Sequence, residues 1–225
     1  LSMTFEQLLA SAVELQVVDG LILPNLKMTG ETMACSFLNE EGRCSIHPFR
    51  PGICRLFPLG RIYENGTFQY FLQTGECRKQ NRTKIKVSKW IDTPELPVYE
   101  QYISDWHYFV KDLQNRARTP GQEALMRTFS LYVLQAFYAA AYETREPFYP
   151  QFYARMEEAK RRLGGNAPLQ PPHLRLPPAV HAVILIPARK KHLPRLRKLK
   201  SHLLRPVRVG ADGDVLAAQL PVALK

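Results

Sequence analysis

Long hydrophobic runs are missing from this chain of 225 residues. A helix needs about 18 apolar residues to span a bilayer, and the longest apolar stretch, residues 179–188, is about half that length. We therefore expect no transmembrane segment. The sequence also does not open on a charged region followed by an apolar one, so no signal peptide is visible. Both absences favour a cytoplasmic protein.

Patterns typical of several enzyme classes are also lacking. No glycine-rich nucleotide loop follows a predicted strand, and the sequence contains neither a Ser/His/Asp arrangement nor an evident pair of catalytic carboxylates. The sequence leaves open whether the protein is an enzyme.

Aromatic residues, glutamate and cysteine are absent from residues 166–225, which instead hold nine of the 18 prolines. This segment carries a formal charge of +9, whereas residues 1–165 carry only +2. Such a change in composition marks a boundary near Gly164–Gly165. We predict a basic, proline-rich, poorly ordered tail that contributes little to stability. Without aromatic side chains it offers no stacking platform for single-stranded nucleic acid, so a nucleic-acid partner is disfavoured.

Short hairpins dominate the first part of the chain. Thr4 and Gln7 form a capping-box pattern that predicts a helix to about Val13. Asp19-Gly20 predicts a hairpin whose second strand ends at Pro24. Residues 39–42 predict a tight turn, and Asn65-Gly66 predicts a second hairpin.

Helical periodicity dominates from residue 96 onward. Apolar and aromatic residues recur there at spacings of three and four. They predict one helix over about residues 96–113, a second from Pro120 to about Glu146, and a third over residues 150–163. The predicted fold is α+β: a small hairpin-rich cysteine module, residues 1–95, followed by three helices, residues 96–165, and an irregular basic tail, residues 166–225.

All of the cysteines lie within residues 35–77, and none forms a CxxC pair of the kind found in zinc fingers. They are Cys35, Cys44, Cys54 and Cys77. A turn-rich segment with few large apolar residues needs a staple, either disulfides or a metal. Because no secretory signal is visible, a metal is favoured over two disulfides. Four buried structural thiols are a further alternative.

Thiolates are suitable ligands for tetrahedral Zn²⁺ and for iron–sulfur clusters. Arg50, Arg55 and Arg78 lie near the cysteines, where their charge would favour the thiolate form. We expect Arg50 and Arg55 to neutralise thiolate charge or to bridge the cysteine loop to helix carboxylates, and not to bind an external anion. His47 is either a fifth ligand or a turn residue bonded to backbone.

Three segments of the chain resemble the YkgJ-type cysteine-cluster family, which is described as a zinc- or iron-chelating domain. The segments are CSFL at residues 35–38, GRCSIHP at 42–48 and RPGICRLFP at 50–58. The resemblance covers about residues 30–80. It implies that Cys35, Cys44, Cys54 and Cys77 are metal ligands, and His47 stands where tyrosine is usual.

Members of this family open with a compact CxxCxxCC-like cluster, and this chain has no cysteine before Cys35. The comparison suggests a chain that starts just after the first cluster. The family also includes proteins related to flagellin lysine N-methylases, so a protein-modifying enzyme is the alternative to a metal-binding module. A metal ion is the expected partner, and a protein partner stays open. If three cysteines share one ion, the sulfurs of Cys35, Cys44 and Cys54 must lie within about 4 Å of one another.

Overall fold

The computed structural model describes residues 1–31, 33–73, 82–118 and 121–164, together with the strand Asp214–Ala218. The chain forms two compact units, each built from separate stretches of sequence. Unit 1 comprises Leu1–His47 and Phe109–Lys190, and unit 2 comprises Pro48–Tyr108 and Lys191–Lys225. Antiparallel hairpins precede several helices, so the predicted α+β class is confirmed.

The first helix and hairpin of unit 1 follow the sequence signals closely. Helix α1 (Phe5–Ser11) begins after Thr4, which exchanges both capping-box hydrogen bonds with Gln7. Strands β1 (Val13–Val18) and β2 (Leu21–Leu26) pair around Asp19-Gly20. Both turn residues have positive φ, as a two-residue hairpin turn requires.

Pro24 does not end β2, which corrects the prediction. It lies opposite Leu15, and the strand continues to Leu26. The reason is that a strand in a two-stranded sheet has one open edge, so a residue without an N–H group is tolerated when that side faces away from the partner strand.

The hairpin is held to the helices of unit 1 by polar contacts. Buried Ser130 accepts a hydrogen bond of 3.0 Å from the Ile22 amide and donates to the Met126 carbonyl. Gln114 donates to the Val18 carbonyl at 3.1 Å. One backbone amide and one backbone carbonyl of the hairpin thereby find hydrogen-bond partners in helix side chains.

The core of unit 1 consists of apolar side chains from β2 and the helices. Helix α4 (Leu96–Ala117) contributes its residues from Phe109 onward, and α5 (Glu123–Val133), the turn that follows it and α6 (Phe148–Gly164) contribute the rest. The most deeply buried are Leu21, Leu113, Phe129, Val133, Leu134, Met156 and Leu163. Their spacing on each helix matches the apolar stripes in the sequence.

The second predicted helix ends earlier than its periodicity indicates. α5 passes into a π-helix, Leu134–Ala139, and Ala140 has extended backbone angles. The helix therefore stops well before Glu146. Arg155 of α6 donates to the carbonyls of Ala136, Ala140 and Ala141, so the side chain satisfies the acceptors exposed at this helix end.

Unit 2 is built on a second hairpin and short helices. Helix α2 (Gly52–Leu56) precedes β5 (Leu59–Glu64) and β6 (Thr67–Leu72), and β7 (Arg82–Lys86) precedes α3 (Val87–Ile91). The Asn65-Gly66 turn is confirmed, with positive φ at both residues. The residues of α4 up to Tyr108 complete the unit.

The β5–β6 turn is bonded to α4. Gly66 donates its amide to Tyr108 Oη at 3.1 Å, and Tyr108 in turn donates to the Thr67 carbonyl. Ser104 Oγ donates to the Gly66 carbonyl at 2.9 Å. Three hydrogen bonds between the turn and two helix residues therefore fix the end of the hairpin.

One segment of the tail is regular, where the sequence predicted an irregular tail. Strand β8 (Asp214–Ala218) pairs antiparallel with β7, Arg82 lying opposite Ala218 and Lys86 opposite Asp214. An open strand edge such as that of β7 provides hydrogen-bonding groups for another strand. The rest of the tail lies outside the described residues.

The compact units do not follow the predicted boundaries at residues 95 and 165. Each unit combines part of the cysteine-bearing region with part of the helical region. The division into a cysteine module, a helical segment and a tail stays a prediction. No helix in the described ranges is both long and apolar enough to cross a membrane.

Candidate metal centre

Cys35 and Cys44 lie at the base of one tight loop in unit 1. Cys35 ends the short strand β4 (Ala34–Cys35), which pairs with β3 (Met28–Thr29). The Leu38 amide donates to the Cys35 carbonyl at 2.9 Å, and Leu38 forms an isolated bridge with Cys44. One turn and one bridge therefore connect the two cysteines.

The loop between these cysteines is held by its own polar groups. The Asn39 side chain accepts the Arg43 amide at 2.8 Å, and the Gly42 amide donates to the Asn39 carbonyl. Ser45 donates both its amide and its hydroxyl to the Phe37 carbonyl. This confirms the tight turn predicted over residues 39–42, and it fixes the backbone on both sides of Cys44.

The thiols of Cys35 and Cys44 are both free and half-buried. No disulfide joins the three cysteines that the structure describes, which speaks against the disulfide-stapled alternative for these residues. Two thiols on one constrained loop supply soft donors of the kind that zinc and iron take.

Cys54 lies in unit 2, on the five-residue helix α2, and is exposed. Leu56 of the same helix is buried at 6 % exposure, whereas Ile53 is 64 % exposed. The Trp90 indole donates to the Phe57 carbonyl at 3.2 Å directly after the helix. The helix is thus attached by one side and presents Cys54 on the other.

Arg55 anchors this helix to its surroundings. Its guanidinium donates to the carbonyls of Pro48 and Asp92, both at 3.0 Å, and lies 3.8 Å from the Asp92 carboxylate. Asp92 is the residue that follows α3 and lies before the predicted helices, so a bridge from the cysteine loop to carboxylates on those helices stays a prediction. The Nε atom of Arg50 is buried and finds no hydrogen-bond partner among the described residues. Compensation of thiolate charge stays a prediction for both arginines.

For the other candidate residues of the site, the structure gives little information on metal binding. His47 is exposed and begins the 3-10 turn His47–Phe49. Cys77 and Arg78 lie outside the described residues. Within the described ranges, no three His, Cys, Asp or Glu side chains are gathered closely enough to hold a metal ion. The shared site of Cys35, Cys44, Cys54 and Cys77 therefore stays a prediction.

Sequence reasoning missed a cluster in unit 2 beneath α2. The Arg61 guanidinium lies over the rings of Phe68, Tyr70 and Tyr99, at 5.1, 5.7 and 5.7 Å from their centroids. Arg61 donates to Tyr99 Oη at 3.1 Å. Burial raises the pKa of Tyr70, and the nearby Glu100 carboxylate raises it further.

The half-buried Tyr70 therefore stays neutral beside a charged guanidinium that has no carboxylate partner in the described part of the chain. Arg61 is held by aromatic faces and one hydroxyl instead. In the sequence, the aromatic residues of α4 fit a helix-packing stripe, and no local pattern pointed to this cluster.

Part of the chain matches a known protein family. Residues 6–87 match the protein-family model CxxCxxCC, whose description reads "Putative zinc- or iron-chelating domain". The matched range includes all four cysteines. No curated protein and no solved structure matches the chain significantly. The family match supports metal binding by this part of the chain.

Proposed function

We propose that the protein binds zinc or an iron–sulfur centre through Cys35, Cys44, Cys54 and Cys77. The observation that carries the proposal is the constrained loop that holds the free thiols of Cys35 and Cys44 one turn and one bridge apart. This loop lies inside the range that matches a zinc- or iron-chelating family. Since thiols persist in a reducing compartment, the proposal places the protein in the cytoplasm.

Four thiolates around one divalent ion leave a net charge of about −2. Such a charge is unfavourable to bury unless cations or amide donors lie nearby. Arg50 supplies a cation whose Nε has no partner among the described residues. In this proposal Arg50 compensates ligand charge, while Arg55 mainly holds the backbone. The metal then has a structural or a redox role.

Metal analysis of the purified protein tests the proposal directly. The protein is loaded with zinc, or with ferrous iron and sulfide under anaerobic conditions, and is analysed by elemental analysis and absorption spectroscopy. A colourless protein with bound zinc supports a zinc site, and a brown protein with iron and labile sulfide supports a cluster. A wild-type protein that retains neither metal overturns the proposal.

Ligand variants sharpen the test. Cys35→Ser and Cys44→Ser should each lower the bound metal strongly, because a hydroxyl is a poor substitute for a thiolate. Glu40→Gln is the matched control, since Glu40 is an exposed carboxylate in the same loop. Unchanged metal content in both cysteine variants would contradict the assignment of these ligands.

Arginine variants separate charge compensation from anchoring. Arg50→Gln should speed zinc loss to a chelator while the protein stays folded. Arg55→Gln should also lower the thermal midpoint, because it breaks the bonds to Pro48 and Asp92. Equal metal retention in Arg50→Gln and wild type would refute charge compensation by Arg50.

The alternative of a protein-modifying enzyme resembling the flagellin lysine N-methylases has no supporting observation in the described residues. A protein partner and the role of the basic tail likewise stay open hypotheses.

A further inference from the structure

Helix α2 is too short to be stable by itself. A helix of five residues has few internal hydrogen bonds to offset the unfavourable first turn. Its N-cap residue, Pro51, provides no side-chain hydrogen bond to the helix. The conformation around Cys54 therefore depends on neighbours that fix α2 from outside.

At the C-terminal end these neighbours are evident. Leu56 is buried, and Arg55 donates to the carbonyls of Pro48 and Asp92. These contacts hold the second half of the helix. They leave its first residue, Gly52, to be fixed by another group.

That group is Tyr99, which is only 7 % exposed. A Cβ atom built on Gly52 would lie 2.2 Å from Tyr99 Oη and 3.1 Å from Tyr99 Cζ. Real side chains do not approach so closely, so the hydroxyl occupies the space directly over Gly52. Only glycine fits at the start of α2 while the hydroxyl is present.

The tyrosine is itself fixed from behind. Arg61 donates to Tyr99 Oη at 3.1 Å, and its guanidinium lies over the Tyr99 and Phe68 rings. The hydroxyl that meets Gly52 is therefore oriented by a half-buried cation, which itself belongs to the β5 strand. A continuous chain of contacts runs from β5 through Arg61 and Tyr99 to the residue two positions before Cys54.

We propose that Tyr99, oriented by Arg61, is a positioning residue for Cys54. Its contact with Gly52 fixes the position of the first turn of α2. The backbone that carries the Cys54 thiol is therefore held in one place. The effect on metal retention rests on the proposed function, whereas the effect on the α2 backbone does not. The two parts can therefore fail separately.

The decisive experiment is a rescue. Gly52→Ala should displace α2, although alanine normally favours a helix over glycine. In Gly52→Ala, the ¹³Cα shift of Cys54 measured by NMR should lose more than about half of its helical component, as expected from overpacking. Adding Tyr99→Phe removes the hydroxyl oxygen, which is the atom nearest to the new Cβ, and should restore most of the lost helical shift of Cys54.

Tyr108→Phe is the matched control. Tyr108 lies on the same helix and also bonds through its hydroxyl, but it contacts the β5–β6 turn and not α2. Combined with Gly52→Ala, it should restore nothing at Cys54. A general loss of stability would affect both double variants alike, so this pair separates positioning from structural support.

The effect on metal retention is measured as the rate at which zinc-loaded protein loses zinc to a chelator. Gly52→Ala should release zinc about tenfold faster than wild type, and Gly52→Ala with Tyr99→Phe should approach the wild-type rate. Helical Cys54 in Gly52→Ala, or equal behaviour of the two double variants, would overturn the positioning role. If the shift is rescued but the wild-type protein retains neither zinc nor an iron–sulfur centre, the proposed metal function fails and the positioning of Cys54 stands.

Discussion

Replacing Arg155 should destabilise the protein more than replacing most other residues near the surface of unit 1. Its guanidinium donates to three carbonyls at the end of the π-helix, those of Ala136, Ala140 and Ala141. It also lies 3.7 Å from the centroid of the Tyr142 ring. Replacing it with methionine keeps much of the apolar stem and removes all of these polar interactions.

The expected loss can be worked out from the contacts. Hydrogen bonds from a charged donor contribute roughly 1.5–3 kcal/mol each, and a cation–π contact adds about 0.5–2 kcal/mol. The bond to Ala141 is exposed, so water replaces it readily. We therefore expect Arg155→Met to lower the free energy of unfolding by about 3.5 kcal/mol, the lower end of what two bonds and the cation–π contact contribute together. Arg155→Lys should lose about 1–2 kcal/mol, because the compact ammonium group keeps the charge but lacks the planar fork of the guanidinium.

Urea unfolding followed by circular dichroism measures this difference. Lys160→Met provides the control, because Lys160 lies on the same helix and, within the described residues, forms an exposed ion pair with Glu157 and no other. Such a pair contributes at most about 0.5 kcal/mol. An effect of Arg155→Met that is no larger than that of the control would refute the view that Arg155 terminates the π-helix.

Three further outcomes follow from the structure. Gly20→Ala should destabilise the protein by about 1–3 kcal/mol in urea unfolding, because Gly20 has positive φ and an added Cβ would meet Met126; Gly30→Ala, with positive φ but open space, should lose less. Burial raises the pKa of Tyr138 to about 12, so its contribution to stability is complete below pH 10 and is lost between pH 10 and 12. Tyr138→Phe should flatten that decline, and an unaltered decline would contradict the assignment. Deleting residues 166–225 should speed amide exchange in β7, which loses its partner β8, with a small change in thermal midpoint. A fall of many degrees would show a larger role for the tail.

Local rules of the sequence predicted much of the fold. The capping box at Thr4 and the two-residue turns Asp19-Gly20 and Asn65-Gly66 depend on residues close in sequence, and all three are confirmed. Helical periodicity likewise located the main helices. These features could be predicted because each is determined within a few residues.

Features that depend on distant residues could not be predicted in this way. The early end of the second helix depends on Arg155, which comes from the next helix. The pairing of β8 with β7 joins segments more than a hundred residues apart. No local pattern contains either partner. Helical periodicity therefore predicted a helix up to Glu146, and no strand was predicted in the tail.

The candidate site was only partly visible in the sequence. Cysteine is rare and clustered, so Cys35 and Cys44 could be named as candidate ligands from the sequence alone. Tyr99 could not, because an aromatic residue at helical spacing looks like any other packing residue. The role proposed for Tyr99 follows from its approach to Gly52 and its bond to Arg61, neither of which a local sequence pattern contains.

The hydrogen bonds at the β5–β6 turn also bear on the chemical ageing of the protein. Asn-Gly is the dipeptide most prone to deamidation, in which the glycine amide nitrogen attacks the asparagine side chain and closes a succinimide ring. At Asn65-Gly66 that nitrogen is held by Tyr108 Oη, and ring closure requires it to leave this bond and rotate. Deamidation at Asn65 should therefore be slow while the hairpin is folded. In stored material, isoaspartate at Asn65 would record how often this hairpin has opened.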